Sequence, residues 1–277
     1  MIQELHKSEY ERVRPLFAEQ PNQPVIHGVI EGRNNGRIFA DHREYPRTAL
    51  IWAEHELFFL AGDLDNEAFN AKLLPWIDNT LAPEARKIGD LSFQLEVIPT
   101  DSAKGFVESH LAAKKPKSYG RWGSVFLQDR FYDMQSAYPP NPLPPETELC
   151  RIDERVIAED RAGVILGEVN KFWPSQAAFL AEGFGFCVRQ GGQVLTCCLT
   201  VYRAGQDVEI GINTYDQQHR GQGLATAAAN AFVRHCLAHD FIPHWTTELF
   251  REDSIVIAEK LGFMQTRSYD CYYFSLA

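Results

Sequence analysis

The stretch Val208-Glu209-Ile210-Gly211-Ile212-Asn213-Thr214-Tyr215-Asp216-Gln217-Gln218-His219-Arg220-Gly221-Gln222-Gly223-Leu224-Ala225 decides how the chain is read. Val208, Ile210, Ile212 and Thr214 alternate with Glu209, Gly211 and Asn213, the two-residue period of a strand. Residues 213–218 are polar and turn-like. From Gly223 the chain is rich in alanine and leucine and free of proline to position 239, which predicts a helix. Strand, glycine loop, helix is a geometry with a chemical use. A helix start leaves its first amides unpaired and partly positive. Gly221 and Gly223 carry no Cβ, so an anion can come close to the backbone N–H groups. Arg220 adds a fixed charge. The stretch reads as a phosphate site.

The pattern discriminates between phosphate ligands. A dinucleotide fingerprint needs Gly-x-Gly-x-x-Gly/Ala after a buried strand; here the last position is Thr226 and the strand alternates. A P-loop needs Gly-Lys-Ser/Thr, and no such run exists. Gln218-His219-Arg220-Gly221-Gln222-Gly223 does fit Gln/Arg-x-x-Gly-x-Gly/Ala, and it resembles the coenzyme A pyrophosphate loop of the GNAT N-acetyltransferase superfamily. Ser254-Ile-Val-Ile-Ala258-Glu-Lys-Leu-Gly262-Phe263 resembles the short GNAT helix that packs beside the pantetheine arm. Residues 179–187, Glu209-Ile-Gly-Ile212 and Pro243-His-Trp245 resemble one branch, that of the zwittermicin A resistance acetyltransferase. The likeness runs through the C-terminal half and more weakly through the N-terminal half.

The resemblance implies an α+β fold with a mixed, mostly antiparallel central sheet flanked by helices. It also implies acetyl-CoA (coenzyme A) as cofactor and a primary amine of a small molecule as acceptor, attacking the thioester directly. Ile212 and Thr214 would meet the acetyl-pantetheine arm. The amides of His219, Gly221, Gly223 and Leu224 would hold the pyrophosphate, with Gln218, Arg220, Gln222, Ala225, Arg251 and Ser254 around it. Glu209 is the expected base, directly or through water; its alternative is a cross-strand ion partner. Glu248 is a second carboxylate for that task. Many GNAT enzymes carry a thiolate-donating tyrosine where this chain has Ala258, and an asparagine where it has Arg251. Another tyrosine (Tyr269 among them), Ser254, water or no acid at all are the options left. The same departures feed a rival reading, a coenzyme A or acyl-CoA binding protein that has lost catalysis. A different phosphate compound on the same loop is a third.

Composition bounds the partners. The chain has 277 residues, 37 Asp+Glu against 27 Lys+Arg and a net charge of −10. That argues against a nucleic-acid partner, whose binding is driven by Lys and Arg on phosphates, and mildly favours a cationic amine. No cationic, apolar leader opens the chain and no apolar run reaches membrane-spanning length, so no membrane is involved and a cytoplasmic location is expected. Six cysteines without a Cys-x-x-Cys pair read as buried hydrophobes in a reducing compartment. Monomer and homodimer are both open.

Other pairs invite chemistry and have plainer readings. His235 and His239 lie at i, i+4 around Cys236, a zinc spacing without a third ligand; a solvated pair near a helix end is favoured, and no metal is expected. Cys197 and Cys198 point to opposite faces of a strand. Trp173 and Trp245 suit either a pocket or the core.

The organisation expected is a helix over 1–20, then strands at 25–31, 37–41 and 48–61, the last bent near Glu54-His55-Glu56. A helix over 66–79, a strand at 92–98, a helix over 102–113 and an aromatic segment at 119–131 follow. Residues 138–146 hold five prolines in nine residues, an extended stretch that sets a domain boundary. Residues 1–138 form the N-terminal domain, a degenerate GNAT-like copy without a phosphate loop; 139–146 link; 147–277 form the acetyl-CoA domain. In that domain a helix at 175–181 leads to a meander over 184–189, 193–202 and 208–214. The helix 223–239, a strand at 245–249, a helix at 254–261 and a final strand pair at 266–275 complete it.

Overall fold

A computed structural model describes residues 2–139 and 141–277. The fold is α+β, with mostly antiparallel sheets flanked by helices. The chain divides into two units, residues 1–121 with 269–277, and 122–268. It passes from one to the other inside two strands, Lys117–Phe126 and Phe263–Ser275.

In the first unit, strands Gln3–Glu4, Gly36–Ala40, Thr48–Ala53 and Phe58–Gly62 are antiparallel neighbours. Ser92–Ile98 joins Phe58–Gly62 in parallel, with Phe58 opposite Leu95. Residues 272–275 then pair antiparallel with 92–95. A stack of Phe58, Phe93 and Phe274 rings, with centroids 4.4 Å and 5.0 Å apart, runs through the core. The helix Glu67–Trp76 starts on Asn66, whose side chain accepts the Phe69 amide. It continues through a wider turn at Ile77–Leu81, just after Pro75 removes a backbone donor.

Two expectations here are corrected. Residues 25–31 are not a strand; Pro24–Ile30 is a helix. Pro24 occupies its first turn and the Gln23 side chain accepts the Val25 amide at 3.2 Å, a helix start that outweighs the β-branched composition. In place of one helix over 1–20, the described residues give a short strand, Gln3–Glu4, and a 3-10 helix, Lys7–Phe17, which buries Tyr10, Val13 and Phe17.

In the second unit the sheet runs Ile242–His244, Asp207–Thr214, Gln193–Ala204, Gly185–Gln190, Thr147–Arg151. All pairs are antiparallel except the first. The helix Leu224–Ala238 lays Leu224, Ala228, Phe232 and Val233 into a core with Phe184, Val188, Cys198, Val208 and Ile210. The expected helix at 175–181 is Gln176–Glu182, capped by Ser175.

The proline-rich stretch does not mark the division. It lies inside the second unit, as does the helix before it, Gln128–Ala137. Leu143 packs against the second unit's core, and Phe131 is buried in it, so these residues are held there by burial. Pro140, within the expected linker, lies outside the described residues. The final strand pair is likewise one strand, Phe263–Ser275.

Candidate active site

The strand Asp207–Thr214 has a full antiparallel partner on one side, with a register shift between Glu209 and Ile210. On the other side it pairs in parallel with Ile242–His244 over three residues, ending at Glu209 opposite His244. Beyond that point the two chains part. Thr246–Glu248 lies beside Lys117–Phe126 instead, where the Ser124 hydroxyl donates to the Trp245 carbonyl at 2.7 Å. A fork therefore opens at Glu209, and residues 210–214 form one of its arms.

Glu209 sits in the crotch of the fork. It is 5% exposed, and its Oε1 accepts the Thr246 amide at 3.0 Å. The parting of the strands turns that amide away from sheet pairing, and a carboxylate one side chain long reaches it.

The loop beyond Thr214 is braced by its own bonds. Asp216 accepts the Gln218 amide at 3.0 Å and its side-chain amide at 2.7 Å. The 3-10 turn Gln217–His219 commits the His219 amide to the Asp216 carbonyl and the Arg220 amide to the Gln217 carbonyl, each at 3.1 Å. His219 is thus corrected as an amide donor, though its residue still lines the cavity. The first bond of the long helix runs from the Ala227 amide to the Gly223 carbonyl, which leaves the amides of Leu224, Ala225 and Thr226 as its unpaired start. Gly221 and Gly223 adopt φ of +74° and +81°, where other residues are strained. A Cβ at either would meet nothing within 4 Å, so the space above the helix start is open.

One cavity of about 880 Å³ collects most of the predicted residues. Ile212, Thr214, His219, Arg220, Gly221, Gly223, Leu224, Ala225, Arg251 and Ser254 line it; Glu209 is not among the lining residues, nor are Gln218 and Gln222. The two glutamines instead brace the loop, Gln222 donating to the Gln218 carbonyl at 2.8 Å. The sequence reading missed Asn213, Asn230, Lys260 and a wall from the segment Gln135, Ala137, Tyr138, Pro139 and Asn141. Gln135 ties that wall down, accepting from Asn230 and donating to the Lys260 carbonyl at 3.4 Å. No local signal foretells this, because the contacts join segments far apart in the chain. Arg220, Arg251 and Lys260 give the cavity cationic character, with Asp253 the acid among its lining residues.

The remaining predicted residues fall elsewhere. Glu248 faces Arg251, with Oε2 3.9 Å from Nη1. Tyr269 belongs to the first unit, within electrostatic reach of Arg121 there. Ala258 is fully buried beside Leu261 and Phe263. Trp245 is core, 3% exposed and edge-on to Phe263, with its indole N–H on the Ser254 hydroxyl oxygen at 3.1 Å. His235 and His239 stack with ring centroids 3.9 Å apart. Burial first, and then His239 and Arg151, lower the His235 pKa to about 4, so His235 is half-buried and neutral rather than a solvated cation. Among the described residues no three His, Cys, Asp or Glu side chains gather as a metal site, and no helix is long and apolar enough to cross a membrane. Burial raises the thiol pKa of Cys197 and Cys198 well above its usual value.

Comparison with known proteins bears on the family. The chain is 26% identical to an uncharacterized N-acetyltransferase of Bacillus subtilis, YdfB, over 99% of this chain and 98% of that one. A GCN5-related N-acetyltransferase-like protein from Streptococcus suis superposes with a TM-score of 0.72 at 21% identity, covering 97% and 98% of the two chains. A tandem GNAT protein from the clavulanic acid biosynthesis pathway superposes with a TM-score of 0.60 at 12% identity, covering 100% and 99%; these two likenesses concern the fold. The family model for GNAT acetyltransferases matches residues 14–272. The chain belongs to the GNAT acetyltransferase family and is an acetyltransferase of that type.

Proposed function

We propose that the chain transfers an acetyl group from acetyl-CoA to a primary amine of a small molecule, with the cavity of the second unit as the cofactor site. One observation carries the reading: open space stands over Gly221 and Gly223, at a helix start whose Leu224, Ala225 and Thr226 amides need a partner. An anion fits there, and Arg220, Arg251 and Lys260 supply the charge a polyphosphate requires. Ile212 and Thr214, on the free arm of the fork, offer backbone to an extended pantetheine.

Acetyl-CoA supplies an activated acyl thioester when bound. The chain's part is to orient the acceptor and remove a proton. Glu209 is the base: buried, fixed by Thr246, and at the mouth where the strands part. Glu248, engaged with Arg251, and Tyr269 are weaker choices. The net charge of −10 suits a cationic amine and opposes nucleic acid. The likeness of residues 179–187, 209–212 and 243–245 to the zwittermicin A resistance branch supports an aminated antibiotic-like acceptor. Six free cysteines suit a reducing cytoplasm.

We also propose that the first unit is a degenerate copy of the same fold. It repeats meander, helix and parallel strand, and its helix start is closed by its own Asn66. The rival reading, a coenzyme A binder without catalysis, draws on the methyl at Ala258.

Calorimetric titration with acetyl-CoA and dephospho-coenzyme A tests the cofactor site. Dissociation constants on the order of micromolar, near −8 kcal/mol, support it. No binding of either would leave the loop a plain helix start and end the reading of this cavity as the cofactor site. With binding established, thiol release with a panel of primary amines separates enzyme from binder.

A further inference from the structure

The inference concerns Ser254 and rests on the acetyl-CoA reading of the cavity. Ser254 lies one turn before Ala258 on the helix Glu252–Lys260, so the two share a face. Position 258 offers only a buried methyl. Ser254 lines the cavity and is 6% exposed. Its hydroxyl oxygen accepts from Trp245 Nε1 at 3.1 Å, its one side-chain bond among the described residues. An indole N–H can only donate. The serine's own proton is therefore left to point away from Trp245, and no acceptor among the described residues takes it. Inside a helix a serine ordinarily hands that proton to a carbonyl one turn back; Ser254 makes no such bond. A buried donor without an acceptor, on a cavity wall, asks for one from a ligand.

Its position names the ligand atom. Trp245, which holds Ser254, is followed by Thr246, whose amide holds Glu209. The proposed base and this donor are thus fixed by the consecutive residues Thr246 and Trp245, just beyond the point where the strands part.

We infer that Ser254 donates a hydrogen bond to the sulfur of coenzyme A and stabilises it as thiolate. In the transfer, the amine nitrogen forms the C–N bond and gives its proton to Glu209. The C–S bond breaks with its electron pair on sulfur. Ser254 keeps its proton throughout, because an alcohol is a weaker acid than a thiol; the thiolate is protonated later from solvent. Trp245 is the positioning residue, blocking the oxygen's other side.

The test needs no acceptor amine. Coenzyme A is bound to the parent protein, to Ser254→Ala and to Ser254→Thr, and its thiol is titrated by the thiolate ultraviolet difference spectrum. The expected result is a bound-thiol pKa about one unit higher in Ser254→Ala, tenfold in acidity, with Ser254→Thr tracking the parent. Calorimetric affinity for coenzyme A measured alongside reports whether each variant is folded. Equal thiol pKa values in the parent and Ser254→Ala, with equal affinity, overturn the role of Ser254 and leave the cofactor site standing. Failure of the parent protein to bind coenzyme A overturns both.

Discussion

The carboxylate of Glu209 accepts the Thr246 amide at 3.0 Å across the point where strands Asp207–Thr214 and Ile242–His244 part. The bond spans the parting of the strands and ties the carboxylate there. Glu209→Gln keeps an oxygen for Thr246 but cannot take a proton. Acetyl-CoA affinity should hold while turnover of an accepted amine falls about 10²- to 10⁴-fold. Glu209→Ala should also lose about 1–3 kcal/mol of stability by stranding the amide. Unchanged turnover in Glu209→Gln would remove this residue from the chemistry.

At Gly223, φ of +81° and open space above the backbone separate two effects. Gly223→Ala has room for its methyl, so it should cost only about 1–2 kcal/mol of backbone strain in urea unfolding. Gly223→Asp places a negative charge where the diphosphate belongs. Its calorimetric affinity for acetyl-CoA should drop well beyond that of Gly223→Ala.

Gly262 answers to packing rather than to ligand. Its φ is +87°, and a Cβ there would lie 2.7 Å from the Phe131 amide nitrogen and 2.8 Å from its Cα. The obstacle is backbone, which cannot swing aside as a side chain can. Gly262→Ala should destabilise the protein by about 2–4 kcal/mol, strain and overpacking together. A thermal midpoint equal to the parent's would show that the helix Gln128–Ala137 does not press on this corner.

His235 makes folding sensitive to acid. Its pKa falls from 6.5 to about 4 on folding, so between those values the unfolded chain binds the extra proton. Stability should be fully present above pH 6.5 and decline as pH drops toward about 4. In His235→Gln the slope of unfolding free energy against pH over that window should be shallower. Equal slopes would mean that the ring is solvated in the folded state.

The first unit's helix start at Glu67–Trp76 is closed by Asn66, which also donates to Asp41 at 2.9 Å. With its amide already matched and an acid beside it, that end repels phosphate. Calorimetry should return one acetyl-CoA per chain. Two would require a second cradle.

What was legible in the sequence is what neighbouring residues enforce on each other. Alternation at 208–214, the two glycines and the alanine-rich run specify strand, loop and helix locally. The strand at 92–98 and the caps at Asn66 and Ser175 are equally short-range. Tertiary contacts decided the rest. Pro24–Ile30 is a helix because its surroundings bury every residue and its start is capped. The proline stretch joins the second unit because Leu143 finds apolar partners there. The cavity wall at Gln135 to Pro139, the fork that positions Glu209 and the indole bonded to Ser254 each join residues distant in the chain. Such pairings depend on which surfaces meet after burial, and no local pattern encodes them.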